Sequence, residues 1–227
     1  MTRAVLFALL AVPAAAAPLP DAERQRLAVA RTFGTWTDPT AENSFRSAGP
    51  TLRVNLPGSP HRAGYAFPCV AAVPRFVRRV TGDFTAVVRV DCPPRSDGVV
   101  DGRYVAGGLA VADAAGCRAE VWRCETNHAG HRIQFGGQWW NHQGGSGSGS
   151  GEVGATGRGW VRLTRTGPFV TYGYGWDGKE AIDSERARVG WVDPVEVSLF
   201  AENTTGMAAE VTFDRYSLTQ PKKEATP

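Results

Sequence analysis

From Phe33 onward the apolar residues come in short runs that alternate with polar ones, and Gly, Pro, Asp or Asn closes each run. Alternation at every second position marks a strand with one face on a core, and no stretch here keeps the three-to-four residue spacing of a helix. The candidate strands are Asn43–Arg46, Thr51–Leu56, Gly64–Val70, Arg75–Val80, Phe84–Asp91, Tyr104–Val111 and Arg118–Cys124. They continue with His131–Trp140, Gly159–Thr166, Phe169–Tyr174, Val189–Val192, Glu196–Glu202 and Ala209–Leu218. Turn signals fall between them, in "NLPGSP" (55–60), "TGD" (81–83), "DAAG" (113–116), Thr166-Gly167, Asp177-Gly178 and "NTTG" (203–206). The 27 glycines, 15 prolines and 7 tryptophans suit many short strands joined by tight turns. The expected class is all-β, a two-sheet antiparallel sandwich.

The N-terminus departs from this pattern. Met1-Thr2-Arg3, nine apolar residues "AVLFALLAV" (4–12) and the alanines up to Ala17 read as a secretory signal peptide cleaved after Ala17. Nine residues are too few to cross a bilayer, and no other segment approaches the eighteen that a spanning helix needs. The expected location is therefore outside the cytoplasm: secreted, periplasmic or at the cell surface. Residues 18–32 read as a tether or short helix, 33–219 as one sandwich, and 220–227 as a disordered tail. Loss of Arg3 takes the net charge from +3 to about +2, and the basic runs, Arg75–Arg79 and Lys222-Lys223, are short and far apart. A nucleic-acid footprint is not expected.

The segment "GGSGSGSG" (144–151) reads as an intradomain loop. The 76 residues after it carry about five strands whose alternation, as in Val161 and Leu163 or Val197 and Leu199, requires a partner sheet, which residues 33–140 supply most simply. Cys69, Cys92, Cys117 and Cys124 in an exported chain suggest two disulfides. If 117–124 is one extended strand its ends lie roughly 23 Å apart, which excludes a Cys117–Cys124 bond and leaves the two connectivities that cross to Cys69 and Cys92.

Four segments carry a family likeness: "PRFVRRVTGDFTAVVRVD" (74–91), "VAGGLAVADAAGCRAEVWRC" (105–124), "WVRLTRTGPFVTYGYGWDGKE" (160–180) and "VGWVDPVEVSLFAENTTGMAAEVTFDRYSLT" (189–219). In this order they resemble the bacterial family DUF1349, related to the concanavalin A-like lectin/glucanase superfamily. The resemblance implies a jelly-roll sandwich and a domain class that mostly binds glycans or partner proteins, with a minority cleaving polysaccharides. The chain lacks the tryptophan that closes the family's "DGktW" turn, since Glu180-Ala181 follow Lys179, and Trp176 precedes the turn instead.

Glycoside hydrolysis needs two carboxylates facing one bond. Glu120 and Glu125 are five apart, an odd separation that puts them on opposite faces of one strand, and Glu180, Asp183 and Glu185 fall in a polar loop. Ser146, Ser148 and Ser150 lie where nothing would fix a histidine or an oxyanion hole. His128, His131 and His142 do not make a compelling metal set, and the Gly-rich run lacks the lysine of a phosphate loop, so no metal or cofactor is expected.

Binding is the better-supported class. Trp139 and Trp140 are adjacent, so one indole enters the core and the other leaves it. An outward indole offers a stacking surface for a sugar ring, with Asn141, His142 and Gln143 as polar neighbours. Tyr172, Tyr174 and Trp176 form a second aromatic stripe at period two, on the face opposite the small Gly173 and Gly175; the stripe suits a core face as well as a sugar platform. The expectation is a non-catalytic domain that binds a glycan or cell-surface protein. The alternatives are a polysaccharide-active enzyme whose carboxylates come from separate strands, and a structural envelope domain without a small ligand.

Overall fold

The computed structural model describes residues 21–58, 72–92, 103–126, 132–153, 158–176 and 182–221. Among the described residues, one helix, α1 (Asp21–Phe33), precedes fourteen strands numbered along the chain. A front sheet holds, in spatial order, β1 (Thr35–Thr37), β4 (Arg75–Val80), β13 (Val195–Asn203), β6 (Tyr104–Ala112), β7 (Arg118–Thr126), β8 (Arg132–Trp140) and β9 (Ser146–Val153). A back sheet holds β12 (Ile182–Arg188), β11 (Phe169–Trp176), β10 (Gly159–Thr166), β5 (Phe84–Asp91), β14 (Ala209–Thr219), β3 (Thr51–Leu56) and β2 (Ser44–Ala48). All the pairings are antiparallel. The expected two-sheet sandwich is what the chain forms.

The alternation explains the packing. In β5, Phe84, Ala86, Val88 and Val90 are buried while Thr85, Val87, Arg89 and Asp91 are only partly so, strict alternation along the strand. The inward rows of both sheets, among them Leu109, Val121, Phe135 and Leu199 in front and Leu52, Leu163, Val170 and Phe213 behind, make one core. β7 breaks the alternation, because Ala119 through Thr126 are buried on both faces. The outer face of the front sheet carries a second apolar cluster, with Ala106, Ala110, Trp122, Cys124 and Phe200 around it.

Several expectations change. The proposed loop at 144–151 is largely strand: Ser146–Val153 pairs with β8 from Trp140↔Ser146 to Ile133↔Val153. Gly/Ser alternation has the period of a strand, and Ser146 and Ser148 are exposed where Gly147 and Gly149 are half-buried. Val189–Val192 is not a strand, and the pairing falls instead on Ile182–Arg188 against β11. The three-residue β1, too short for an alternation signal, was not among the candidate strands. Of the two readings of residues 18–32, tether or short helix, the structure has the helix, over residues 21–33. The two expected disulfides are not formed, for Cys92, Cys117 and Cys124 are free and buried. Cys117 and Cys92 pack in the core between the sheets and Cys124 in the outer cluster, where free cysteines serve as small apolar residues. The expected signal peptide, Cys69, the strand at 64–70 and the end of the tail lie outside the described residues.

Candidate functional site

Cross-strand register assembles the outer face of the front sheet in rows. One row runs Ser198, Ala110, Glu120, Gln138, Ser148 across β13, β6, β7, β8 and β9, and the adjacent row runs Glu196, Ala112, Arg118, Trp140, Ser146. The β6 sequence "YVAGGLAVA" puts only alanine and glycine on this face between Ala106 and Ala112. Small side chains there leave a cleft of about 190 Å³, walled by Arg75, Arg118, Glu120, Glu196 and Ser198.

Glu120 is 0 % exposed. Its Oε2 accepts a hydrogen bond of 2.9 Å from the Gln138 Nε2, and its Oε1 has no partner. Burial pushes the carboxyl up to about 7, against the opposing effects of the Gln138 hydrogen bond and the Arg118 charge, and the Glu202 charge adds to the rise. A buried carboxyl with one oxygen unsatisfied is costly. Further along the face the Tyr104 hydroxyl donates to Glu202 Oε2 at 2.9 Å. Burial and that neighbouring negative charge raise the phenol well above its ordinary value.

The sequence-predicted residues divide between the two faces. Trp140 lies on the outer face, half-buried, with the Arg118 guanidinium 3.6 Å from its ring centroid. That stack covers one side of the indole, so Trp140 acts as a wall with a cation laid on it rather than as a bare platform. Trp139 points inward and packs against the core, its indole over Gly147. Asn141 is occupied by the hairpin turn, its Oδ1 accepting from the Gln143 and Gly145 amides at 3.0 and 2.8 Å. His142 is exposed, and its Nδ1 lies 3.5 Å from Cys117 Sγ.

Tyr172 is a correction: it packs in the core between the two sheets, with its ring against Gly137, and not on the outer face. Tyr174 and Trp176 are half-buried and pack on Phe135, stacked at 5.2 Å and edge-on at 5.3 Å. The stripe is therefore the inner edge of the back sheet, far from the outer face of the front one. Among the described residues no group of three or more His, Cys, Asp or Glu could hold a metal ion.

Glu120 and Glu125 do fall on opposite faces, the former beside Gln138 on the outer side and the latter in register with the core residue Ile133. Sequence reasoning weighed Glu120 only against carboxylates of its own strand. It missed Arg118, Gln138, Ser198 and Arg75 as its neighbours. The one available signal was the polar and aromatic face Arg118, Glu120, Trp122 at period two on a strand whose other face is also filled.

No protein-family model matches the chain, and no curated protein matches it. Among solved structures it is similar to a functionally unknown protein from Saccharomyces cerevisiae, at 17% identity over 82% of this chain and 96% of that one, with a TM-score of 0.62. A legume lectin-like domain from Entamoeba histolytica aligns at 7% identity over 85% and 91% of the two chains, with a TM-score of 0.51. The GH16 protein of a Bacteroides ovatus mixed-linkage glucan locus, solved with a G4G4G3G product, aligns at 8% identity over 81% and 94%, also at 0.51. At such identities the likeness is one of fold, and the fold of this chain is the concanavalin A-like jelly-roll sandwich.

Proposed function

We propose that this chain is an exported saccharide-binding domain that holds its ligand on the outer face of the front sheet without cleaving it. The observation that carries the reading is the unpartnered Glu120 Oε1 at a cleft walled by Arg75, Arg118 and Ser198. Sugar hydroxyls both donate and accept, and they complete such a mixed set of charged and polar groups. The Trp140 indole closes one side of the site through Arg118. The printed names of two fold neighbours, a lectin-like domain and a GH16 protein with a glucan product, are in keeping with this class. So is the resemblance to DUF1349. A glycan array with the chain from residue 18 onward tests the proposal: wild type retains one or more glycans, and Trp140→Ala loses them while Trp139→Ala at the inner face does so only if the sandwich itself is disturbed. Retention of an identified glycan by Trp140→Ala and Glu120→Gln alike would remove this face as the site.

A second reading has its own observation. A carboxyl raised to about 7, with Glu196 beside the same cleft, has the protonation state of a general acid at neutral pH. Release of reducing ends from a polysaccharide, abolished by Glu120→Gln, would establish hydrolysis in place of simple binding.

A further inference from the structure

We propose that the cavity between α1 and the edge strands β1 and β2 is a second ligand site, which takes a small organic anion with an aromatic body. β1 and β2 are the outermost strands of the front and back sheets, and Trp36 and Phe45 meet across that open edge with ring centroids 5.0 Å apart. α1 lies over the gap. Its Val29 and Phe33, four residues apart and so on one face of the helix, are buried, and Gln25 Nε2 donates to the Ser47 carbonyl of β2 at 3.2 Å. The helix does not fill the space, because the small Ala30 and, just past its end, Gly34 line this side. The cavity left has a volume of about 680 Å³, within the roughly 300–1,000 Å³ of small-molecule sites.

One wall is aromatic. Phe76 lies 4.8 Å from Trp36 and 4.9 Å from Phe45, with the rings tilted or edge-on to one another, and Trp36 and Phe45 are only half-buried. Mutually tilted rings offer both faces and edges to a further ring. The side-chain amide N–H groups of the wall are engaged within the protein: Gln25 donates to Ser47 as above, and Asn43 Nδ2 donates to Asp38 Oδ1 and Thr40 Oγ1 at 2.8 and 2.9 Å. Such a wall suits a compact apolar body better than a sugar, whose hydroxyls each need a partner. The charged residues of the wall are Arg26 and Arg46, with no acid among them. Arg46 is met by Glu210 at 2.8 Å, whereas Arg26 is exposed and forms no ion pair among the described residues. α1 itself carries three arginines against Asp21 and Glu23. An oxyanion at the rim therefore meets Arg26, whose guanidinium matches a carboxylate in shape and charge.

Fluorescence titration of the purified chain with anilinonaphthalene sulfonate and with N-phenylnaphthylamine, the same aromatic body without the sulfonate, tests this. Both probes are expected to bind saturably. Arg26→Gln should weaken the sulfonate about two- to fivefold, the effect of one exposed ion pair, and leave the amine unchanged. Ala30→Trp, which fills the cavity from the helix side and whose fold is checked by circular dichroism, should weaken both probes roughly tenfold or more. Naphthoate should displace the sulfonate at lower concentration than decanoate, an alkyl acid of similar size. Sulfonate binding indifferent to Arg26→Gln, or equal loss of both probes in that variant, overturns the anion assignment. The reverse order of the two competitors overturns the aromatic one. Binding unaffected by Ala30→Trp, or absent in the wild type, overturns the site. A dimer in sedimentation velocity that Ala30→Trp dissociates gives the cavity to a second copy of the chain and overturns it too. Glycan retention on the array is read separately and does not depend on either variant.

Discussion

Glu120 couples the proposed site to the stability of the whole domain. Its carboxyl, ordinarily near 4.5, stands at about 7 in the fold because burial penalises the charge. The folded chain therefore holds a proton that the unfolded chain releases between those values, and stability falls as pH rises from 4.5 through 7. At 1.36 kcal/mol per pKa unit the loss is roughly 3 kcal/mol, complete above pH 7. Thermal unfolding across this range should show that decline in the wild type and a shallower one in Glu120→Gln, and parallel curves would refute the coupling. The residue itself was visible in the sequence as a carboxylate on a strand. Its environment was not, because Ser198, Ala110 and Gln138 are brought to it from positions 78, 10 and 18 residues away by strand register.

β8 and β9 show how an element's composition is set by what lies on it. Trp122 rests on Gly136 at the outer face, where an added Cβ would come within 2.5 Å of its ring. Tyr172 rests on Gly137 at the inner face, where an added Cβ would be 2.2 Å away. Tyr172 is fully buried and has nowhere to move, so Gly137→Ala should cost about 1–3 kcal/mol in denaturant unfolding, whereas Ser148→Ala on the exposed side of β9 should stay within about 0.5 kcal/mol. β9 itself looks like a linker by composition and behaves as a strand because Gly147 and Gly149 fill the half-buried positions and Ser146 and Ser148 the exposed ones. Amides of residues 146–153 that bond to β8 should exchange with deuterium far more slowly than those of a free Gly/Ser chain. Fast exchange throughout the segment would return it to the status of a loop. The alternation was legible, but glycine and serine carry no apolar signal, and only the pairing with β8 identifies it as strand periodicity.

At the scale of the molecule, the two sheets hold together through the core, and no disulfide joins the three described cysteines. Burial pushes the Cys92 thiol up to about 11 and the Cys124 thiol up to about 12, so both are protonated and inert at neutral pH. A thiol reagent such as Ellman's should leave Cys92, Cys117 and Cys124 unlabelled in the folded chain and label them after denaturation. Peptide mapping without reductant should find no bond among these three, and a cross-link between any two would contradict the packing.

The sequence alone determined the sandwich. Most strands follow directly from alternation, which is a local property of residues two apart, and Thr51–Leu56, Arg75–Val80, Phe84–Asp91 and Gly159–Thr166 were legible to the residue. Parity alone likewise separated Glu120 from Glu125 and Trp139 from Trp140. Only the tertiary structure decided which strands are neighbours, and with that which side chains meet. The strand order β4-β13-β6-β7-β8 places Arg75, Glu196, Ser198, Arg118 and Glu120 around one cleft. It also lays Arg118 on Trp140 and hides Tyr172 in the core. Register is set by the complementarity of whole faces across long sequence separations, and no window along the chain contains that information.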